Sequence, residues 1–248
     1  KAELAQFEAE GVVVLRDAVP GRLCDTVARE MFAFAGADPQ RPETWHRDRP
    51  EGACRFLEQG GGRNTMLNMY HTQAMWDVRT QPRIHAAMAQ LWGTHRLWCS
   101  IDTVDLKPPA TETHPTFGAP LALHADLPPE VMEAWQRGED VTKRRRIQGV
   151  VYLADTSETG GGFRCVPGFL PPASSEFLEQ QGGSLGRTDG NRVGTIEPFD
   201  FEMVPEMTEF QARTIAARRG DMVIWSSYLP HGSGKNTDDT CRLCQCAH

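Results

Sequence analysis

The chain has 248 residues, 40% of them hydrophobic and 24% charged, enough for one large domain with a full core. Its formal net charge of −7 speaks against sequence-independent nucleic-acid binding, which needs a basic surface, and Lys143–Arg146 fits a solvated loop edge. No apolar run approaches a membrane span, no signal-peptide pattern opens the chain, and seven scattered cysteines read as reduced thiols of a cytoplasmic protein.

Taken in order, Leu4 and Phe7 give residues 3–10 a short helical pattern that Gly11 stops. Val12–Leu15 then reads as a buried strand. Pro20 suits the first turn of a helix whose apolar positions, Leu23, Val27, Met31 and Phe34, recur at helical spacing up to Gly36. From Ala37 to Gly62 the chain is rich in Pro, Gly, Arg and Asp, the composition of a loop. Residues 65–80, with Met66, Met69 and Met75, predict another helix. Pro82–Gly93 predicts a third, with Ile84, Met88, Leu91 and Trp92 on one face.

Past Gly93 the period changes to two. Leu97–Leu106 predicts a strand with polar residues on both faces, so that one side is wet or lines a site. A loop follows to Pro120, and then the extended segment Leu121–Asp126. Pro128–Trp135 predicts a short helix, and Ile147–Leu153 and Phe163–Val166 predict strands, the second ended by Pro167-Gly168. Residues 173–181 predict a helix, and Gly182–Glu206 an irregular stretch suited to a lid. Gln211–Ala217, Met222–Trp225 and Thr240–Ala247 predict the last strands. Helices first and short strands after predict an α+β protein whose sheet closes into a barrel or sandwich. We read residues 1–248 as one domain, with 1–95 mainly helical and 96–248 the β core.

Chemistry concentrates at His124-Ala125-Asp126. In an extended segment these two side chains point the same way, and nitrogen plus carboxylate oxygen suits a divalent metal such as iron(II). His231 lies 105 positions after Asp126 (231 − 126) and must arrive on another strand. Two histidines and one carboxylate leave three adjacent metal positions open. Arg242, eleven residues on (242 − 231), is expensive inside a barrel unless it meets an anion. Its fork matches a carboxylate, and Ser233, on the side of His231, adds a hydroxyl. A dicarboxylate answers all of this: one end on the metal, the other on Arg242 and Ser233.

Asp105, Lys107, Gln148, Tyr152, Arg164 and Trp225 are pocket candidates by alternation or by nearness to the motifs. Arg164 is a candidate for an anionic group on the substrate, with an exposed edge charge as the equal alternative. His71, His85, His95 and His114 read as ordinary surface or capped histidines. Cys241, Cys244, Cys246 and His248 have zinc-like spacing, but a strand there puts Cys241 and Cys244 on opposite faces.

As an ordered set, these motifs resemble the phytanoyl-CoA dioxygenase family of iron(II)/2-oxoglutarate-dependent oxygenases. The carrying residues are His124-Ala125-Asp126, Val150–Asp155 running into Gly160-Gly161-Gly162-Phe163, Val166-Pro167-Gly168, Gly220-Asp221, His231-Gly232-Ser233, Asn236 and Arg242. The resemblance implies a double-stranded β-helix (jelly-roll, cupin-like) core with the N-terminal helices packed on it. It implies iron on His124, Asp126 and His231, with 2-oxoglutarate on Arg242, Ser233 and Trp225 and dioxygen as oxidant. The implied reaction converts 2-oxoglutarate to succinate and carbon dioxide while a substrate C–H is oxidised, most simply by hydroxylation. Lys107, Arg164, Tyr152 and Gln148 remain for a small, polar or anionic substrate. Related halogenases lack the carboxylate ligand, so Asp126 argues against halogenation. Family members commonly carry Ser-His after the Pro-Gly pair; Phe169-Leu170-Pro171-Pro172 stand here and make the adjoining loop unusual. The expected partner is a small molecule, not nucleic acid or membrane, and the expected state a monomer or homodimer. The rival reading is a non-catalytic jelly-roll protein that binds a metal or ligand.

Overall fold

In a computed structural model of the chain, placement is described for residues 2–54, 65–126, 146–170 and 211–247, the backbone of 184–187 and 194–197, and single positions between 130 and 141. Among these residues four helices precede most of the strands: α1 (Ala2–Glu10), α2 (Gly21–Phe34), α3 (Gln73–Arg79) and α4 (Pro82–Trp92). The strands are β1 (Val12–Leu15), β2 (Met66–Leu67), β3 (Val104–Lys107), β4 (Leu121–His124), β5 (Ile147–Tyr152) and β6 (Phe163–Cys165), followed by β7 (Ser184–Arg187), β8 (Gly194–Glu197), β9 (Arg213–Thr214), β10 (Met222–Ser226), β11 (His231–Ser233) and β12 (Arg242–Cys246).

Six strands form one sheet in the order β1-β10-β5-β12-β3-β2, and four form a second in the order β4-β11-β6-β9. All their pairings are antiparallel. The alternation of side chains explains the layering. Along β10, Met222 and Ile224 join the core shared with Phe7, Val27, Met31, Met75 and Ile84 of the helices. Val223 and Trp225 point the other way and pack with Phe163 and Cys165 of the small sheet. The large sheet is therefore buried on both faces, which accounts for its near-continuous hydrophobic runs. The result is a jelly-roll core with the N-terminal helices on its outer face. The zinc-like cysteines divide as alternation requires: Cys241 sits on the helix side and Cys244 between the sheets.

Three expectations change. Residues 65–80 are not one helix: Met66–Leu67 pairs with the edge of β3, and α3 starts at Gln73, where the Thr72 hydroxyl accepts the Met75 N–H at 3.3 Å. Met66 is half-buried and Leu67 and Met69 are buried, so the methionine spacing there serves a strand edge. The strand expected from Leu97 begins only at Val104, because its partner β12 ends at Cys246, whose N–H reaches Thr103 O. Trp98, beyond that ladder, is 98% exposed. The stretch 182–206 holds the hairpin β7–β8. The helices expected at 173–181 and over most of 128–135 lie outside the described residues.

The turn after β6 is fixed from the N-terminus. Gly168 N–H donates to Glu10 O at 2.9 Å, and Phe169 is fully buried. No helix among the described residues is long and apolar enough to cross a membrane.

Candidate active site

The site is built where β11 lies between β4 and β6. His231 pairs directly with His124 across the ladder, which brings their rings to a centroid distance of 4.6 Å. Asp126 follows two residues after His124, on the same side. Its Oδ2 lies 3.4 Å from His231 Nε2 and its Oδ1 3.8 Å from His124 Nε2. One ligand atom from each of the three residues lies within 4.8 Å of the others. That donor set, two imidazole nitrogens and one carboxylate oxygen, fits a ferrous ion and leaves positions free on it.

The surroundings aim these atoms. His231 Nδ1 lies 2.9 Å from Leu229 O. A carbonyl only accepts, so Nδ1 carries the proton and Nε2 keeps its lone pair for a metal. Gln148 Nε2 donates to Asp126 Oδ2 at 2.8 Å. Burial opposes the Asp126 charge, but His231 and His124, when protonated, and the Gln148 amide outweigh it and hold the carboxyl well below the usual range. Phe163 stacks on His231 at 5.9 Å, and Trp225 lies 5.1 Å from the same ring. The Trp225 Nε1 and Gln148 Oε1 atoms are buried without a hydrogen-bond partner among the described residues.

The second half of the site lies on β3 and β12, where Arg242 pairs with Lys107 and Cys244 with Asp105. Lys107 is 3% exposed and donates to Ser233 Oγ at 2.9 Å and Gly234 O at 2.7 Å. Burial, then the neighbouring Arg242, pushes its ammonium down to about 7 against the pull of Asp105. Arg242 Nη2 donates to Asp105 Oδ2 at 2.8 Å and Nη1 to Cys244 Sγ at 2.7 Å. Its Nε is buried with no partner among the described residues, a donor suited to an incoming carboxylate.

The sequence-derived candidates thus separate. His124, Asp126 and His231 converge, as do Lys107, Ser233 and Arg242. Gln148 sits on the Asp126 carboxylate. Tyr152 is fully buried, and its hydroxyl accepts the Phe163 N–H at 2.7 Å, joining the two sheets; burial pushes it up to about 12. Arg164 lies between Phe163 and Cys165, whose side chains enter the inter-sheet core, and so stands on the other face of β6, near Gly234. His114 stacks on His46 at 4.8 Å in the loop before β4. The Leu229 carbonyl and the Cys244 thiol escaped sequence reasoning. The only signal for Cys244 was its shared face with Arg242.

A sequence model of the phytanoyl-CoA dioxygenase (PhyH) family matches residues 7–244. The chain belongs to the phytanoyl-CoA dioxygenase family. It is therefore a 2-oxoglutarate-dependent non-heme iron enzyme, with dioxygen as its oxidant. Among relatives of this PhyH chain, the Ava biosynthesis cluster protein O of Aspergillus versicolor is 24% identical, covering 97% of this chain and 74% of that protein. Among solved structures, the epimerase SnoN in complex with Fe3+, alpha ketoglutarate and nogalamycin RO superposes with a TM-score of 0.63 at 19% identity, covering 99% of this chain and 81% of that one. EvdO2 from Micromonospora carbonacea var. aurantiaca, complexed with 2-oxoglutarate, gives 0.58 at 16% identity, covering 99% and 88%.

Proposed function

We propose that residues 1–248 form one cytoplasmic oxygenase domain that hydroxylates an unactivated C–H of a small polar or anionic molecule, such as a natural-product or amino-acid intermediate. The observation that carries the reading is the pairing of a His-Asp-His centre with a buried cationic end on the neighbouring strands. A structural metal site has no use for the second feature. The free thiols of all seven cysteines fit a reducing compartment.

In this reading His124, Asp126 and His231 hold iron, and Lys107, Ser233 and Arg242 receive the far carboxylate of 2-oxoglutarate. When bound, iron would activate dioxygen, the oxidant for C–H cleavage, with two electrons from 2-oxoglutarate, which would leave as succinate and carbon dioxide. The chain's own residues do the rest. Leu229 O fixes the tautomer of His231, and Gln148 fixes the rotation of the Asp126 carboxylate. Phe163 and Trp225 wall the ligands on the sheet side and exclude water there. Trp225 Nε1 offers a hydrogen bond to a co-substrate oxygen. Arg164 reads an anionic group on the substrate only from outside the inter-sheet core. The crystallisation of SnoN and EvdO2 with 2-oxoglutarate on the same fold supports the assignment.

The test is iron(II)-dependent formation of succinate from 2-oxoglutarate with a panel of small polar substrates, read with the product mass. A gain of one oxygen atom is expected. A product without added oxygen places the reaction with desaturation, cyclisation or epimerisation, and overturns hydroxylation. Anaerobic iron(II) with 2-oxoglutarate should also give a weak visible band; its absence at saturating ligand would favour a non-catalytic jelly roll.

A further inference from the structure

Asp105 carries a partly buried carboxylate paired with Arg242. It lies on β3, two residues before Lys107, and on the inward face. Arg242 stands opposite Lys107 in the ladder, yet its guanidinium reaches diagonally to Asp105, the partner of Cys244. The Arg242 and Asp105 side chains are 7% and 16% exposed. Lys107 turns the other way, to Ser233 and Gly234 on the small sheet. The two cations of the pocket are thus drawn to opposite partners.

Counting donors shows what is left for a carboxylate. Lys107 uses two N–H groups and keeps a third. Ser233 Oγ accepts from Lys107, so its own O–H is free to donate. Arg242 keeps Nε. These donors remain while the Arg242–Asp105 pair is kept. Charge agrees when Lys107 is protonated, the form that a bound carboxylate favours: Lys107 and Arg242 against Asp105 then leave one net positive charge, the match of one carboxylate. Tyr152, Cys244 and Cys246, which also face this group, are kept neutral by burial.

We propose that Asp105 is a built-in counter-ion that holds Arg242 back, so that Lys107 and Ser233 take the far carboxylate first and the pocket carries the charge of a single carboxylate. Asp105 is then a positioning residue that acts through Arg242 and sets how tightly 2-oxoglutarate binds. The inference rests on the 2-oxoglutarate reading of this pocket. It differs from a plain arginine anchor in what removal of Arg242 does. Without Arg242, Asp105 is an unpaired anion facing another anion, and most of the damage comes from that repulsion rather than from a lost grip.

The test is anaerobic calorimetric titration of the manganese(II)-loaded protein with 2-oxoglutarate. A five-carbon 2-oxo acid without the second carboxylate is titrated in parallel, and thermal melts verify folding. D105N should tighten 2-oxoglutarate about tenfold, one unit of charge at short range, and leave the mono-acid unchanged. Asp105→Ser, which also removes the charge, should behave alike. R242Q should weaken 2-oxoglutarate about a hundredfold, and R242Q/D105N should recover most of that loss. A double variant as weak as R242Q would show that Arg242 itself grips the carboxylate and would overturn the counter-ion. An equal gain for the mono-acid would overturn it too. Absence of any 2-oxoglutarate binding by the unaltered protein overturns the 2-oxoglutarate reading and the counter-ion with it, whereas binding without rescue overturns the counter-ion alone.

Discussion

At the scale of single residues, two groups dominate the chemistry. In the proposed metal site Asp126 is the anionic ligand, and protonated His231 and His124 together with the Gln148 amide hold its carboxyl ionised against its burial. Asp126→Ala should cut succinate formation by about three orders of magnitude, with the melting temperature of the metal-free protein kept within a few degrees. Retained turnover would remove Asp126 from the metal.

Lys107 is the group whose protonation the fold disfavours. Its ammonium falls from an ordinary 10.5 to about 7, so the unfolded chain binds this proton more readily than the folded one. The penalty is full below about pH 7 and fades as pH rises towards 10.5, and stability from this group rises with pH across that window. Lys107→Met lacks the titration. Its urea-unfolding free energy, relative to the unaltered protein, should therefore fall between pH 7 and 10 by a few kcal/mol. A difference flat in pH would show that Lys107 stays charged throughout.

At the scale of elements, the site depends on turns and struts that hold strands in register. Gly220 has φ +91°, and a Cβ there would lie 2.3 Å from Val19 O. Its carbonyl also accepts the Val19 N–H at 2.9 Å. Gly220→Ala should cost about 2–3 kcal/mol, combining left-handed strain with a backbone clash. A lower urea midpoint at unchanged slope is the expected reading. Tyr152 ties β5 to β6 through the Phe163 N–H. Tyr152→Phe leaves that buried donor unmet and should cost about 1–2 kcal/mol, read the same way.

The elements also show where the sequence misled. Residues 65–80 carry methionines at a spacing that suits a helix, yet Met66–Leu67 extends the large sheet. Short apolar runs satisfy either period, and the vacant edge of β3 decided the outcome. Leu97–Leu106 alternates well, but a strand lasts only as long as its partner, and β12 supplies none past Cys246.

For the whole molecule, the jelly roll joins distant parts of the chain into two sheets, and ligands that bind only the folded form stabilise all of it. Manganese(II) and 2-oxoglutarate together, each at a hundred times its Kd, should each add about 2.7 kcal/mol to unfolding. Differential scanning calorimetry with and without the ligands checks this. A transition that moves for the metal but not for 2-oxoglutarate would separate the His-Asp-His centre from the cationic end.

By itself the sequence determined the residue types of the proposed metal centre, the presence of an inward arginine, and the two-faced alternation that splits Met222 and Ile224 from Val223 and Trp225. These are properties of local order along the chain, because period and side-chain chemistry need no partner. The tertiary structure alone decided that His231 stands opposite His124, that Gln148 grips Asp126, and that Arg242 reaches past Lys107 to Asp105. Each of those pairings joins different strands, and strand adjacency and register are fixed by burying both faces of the large sheet at once, a condition that no single stretch of sequence contains.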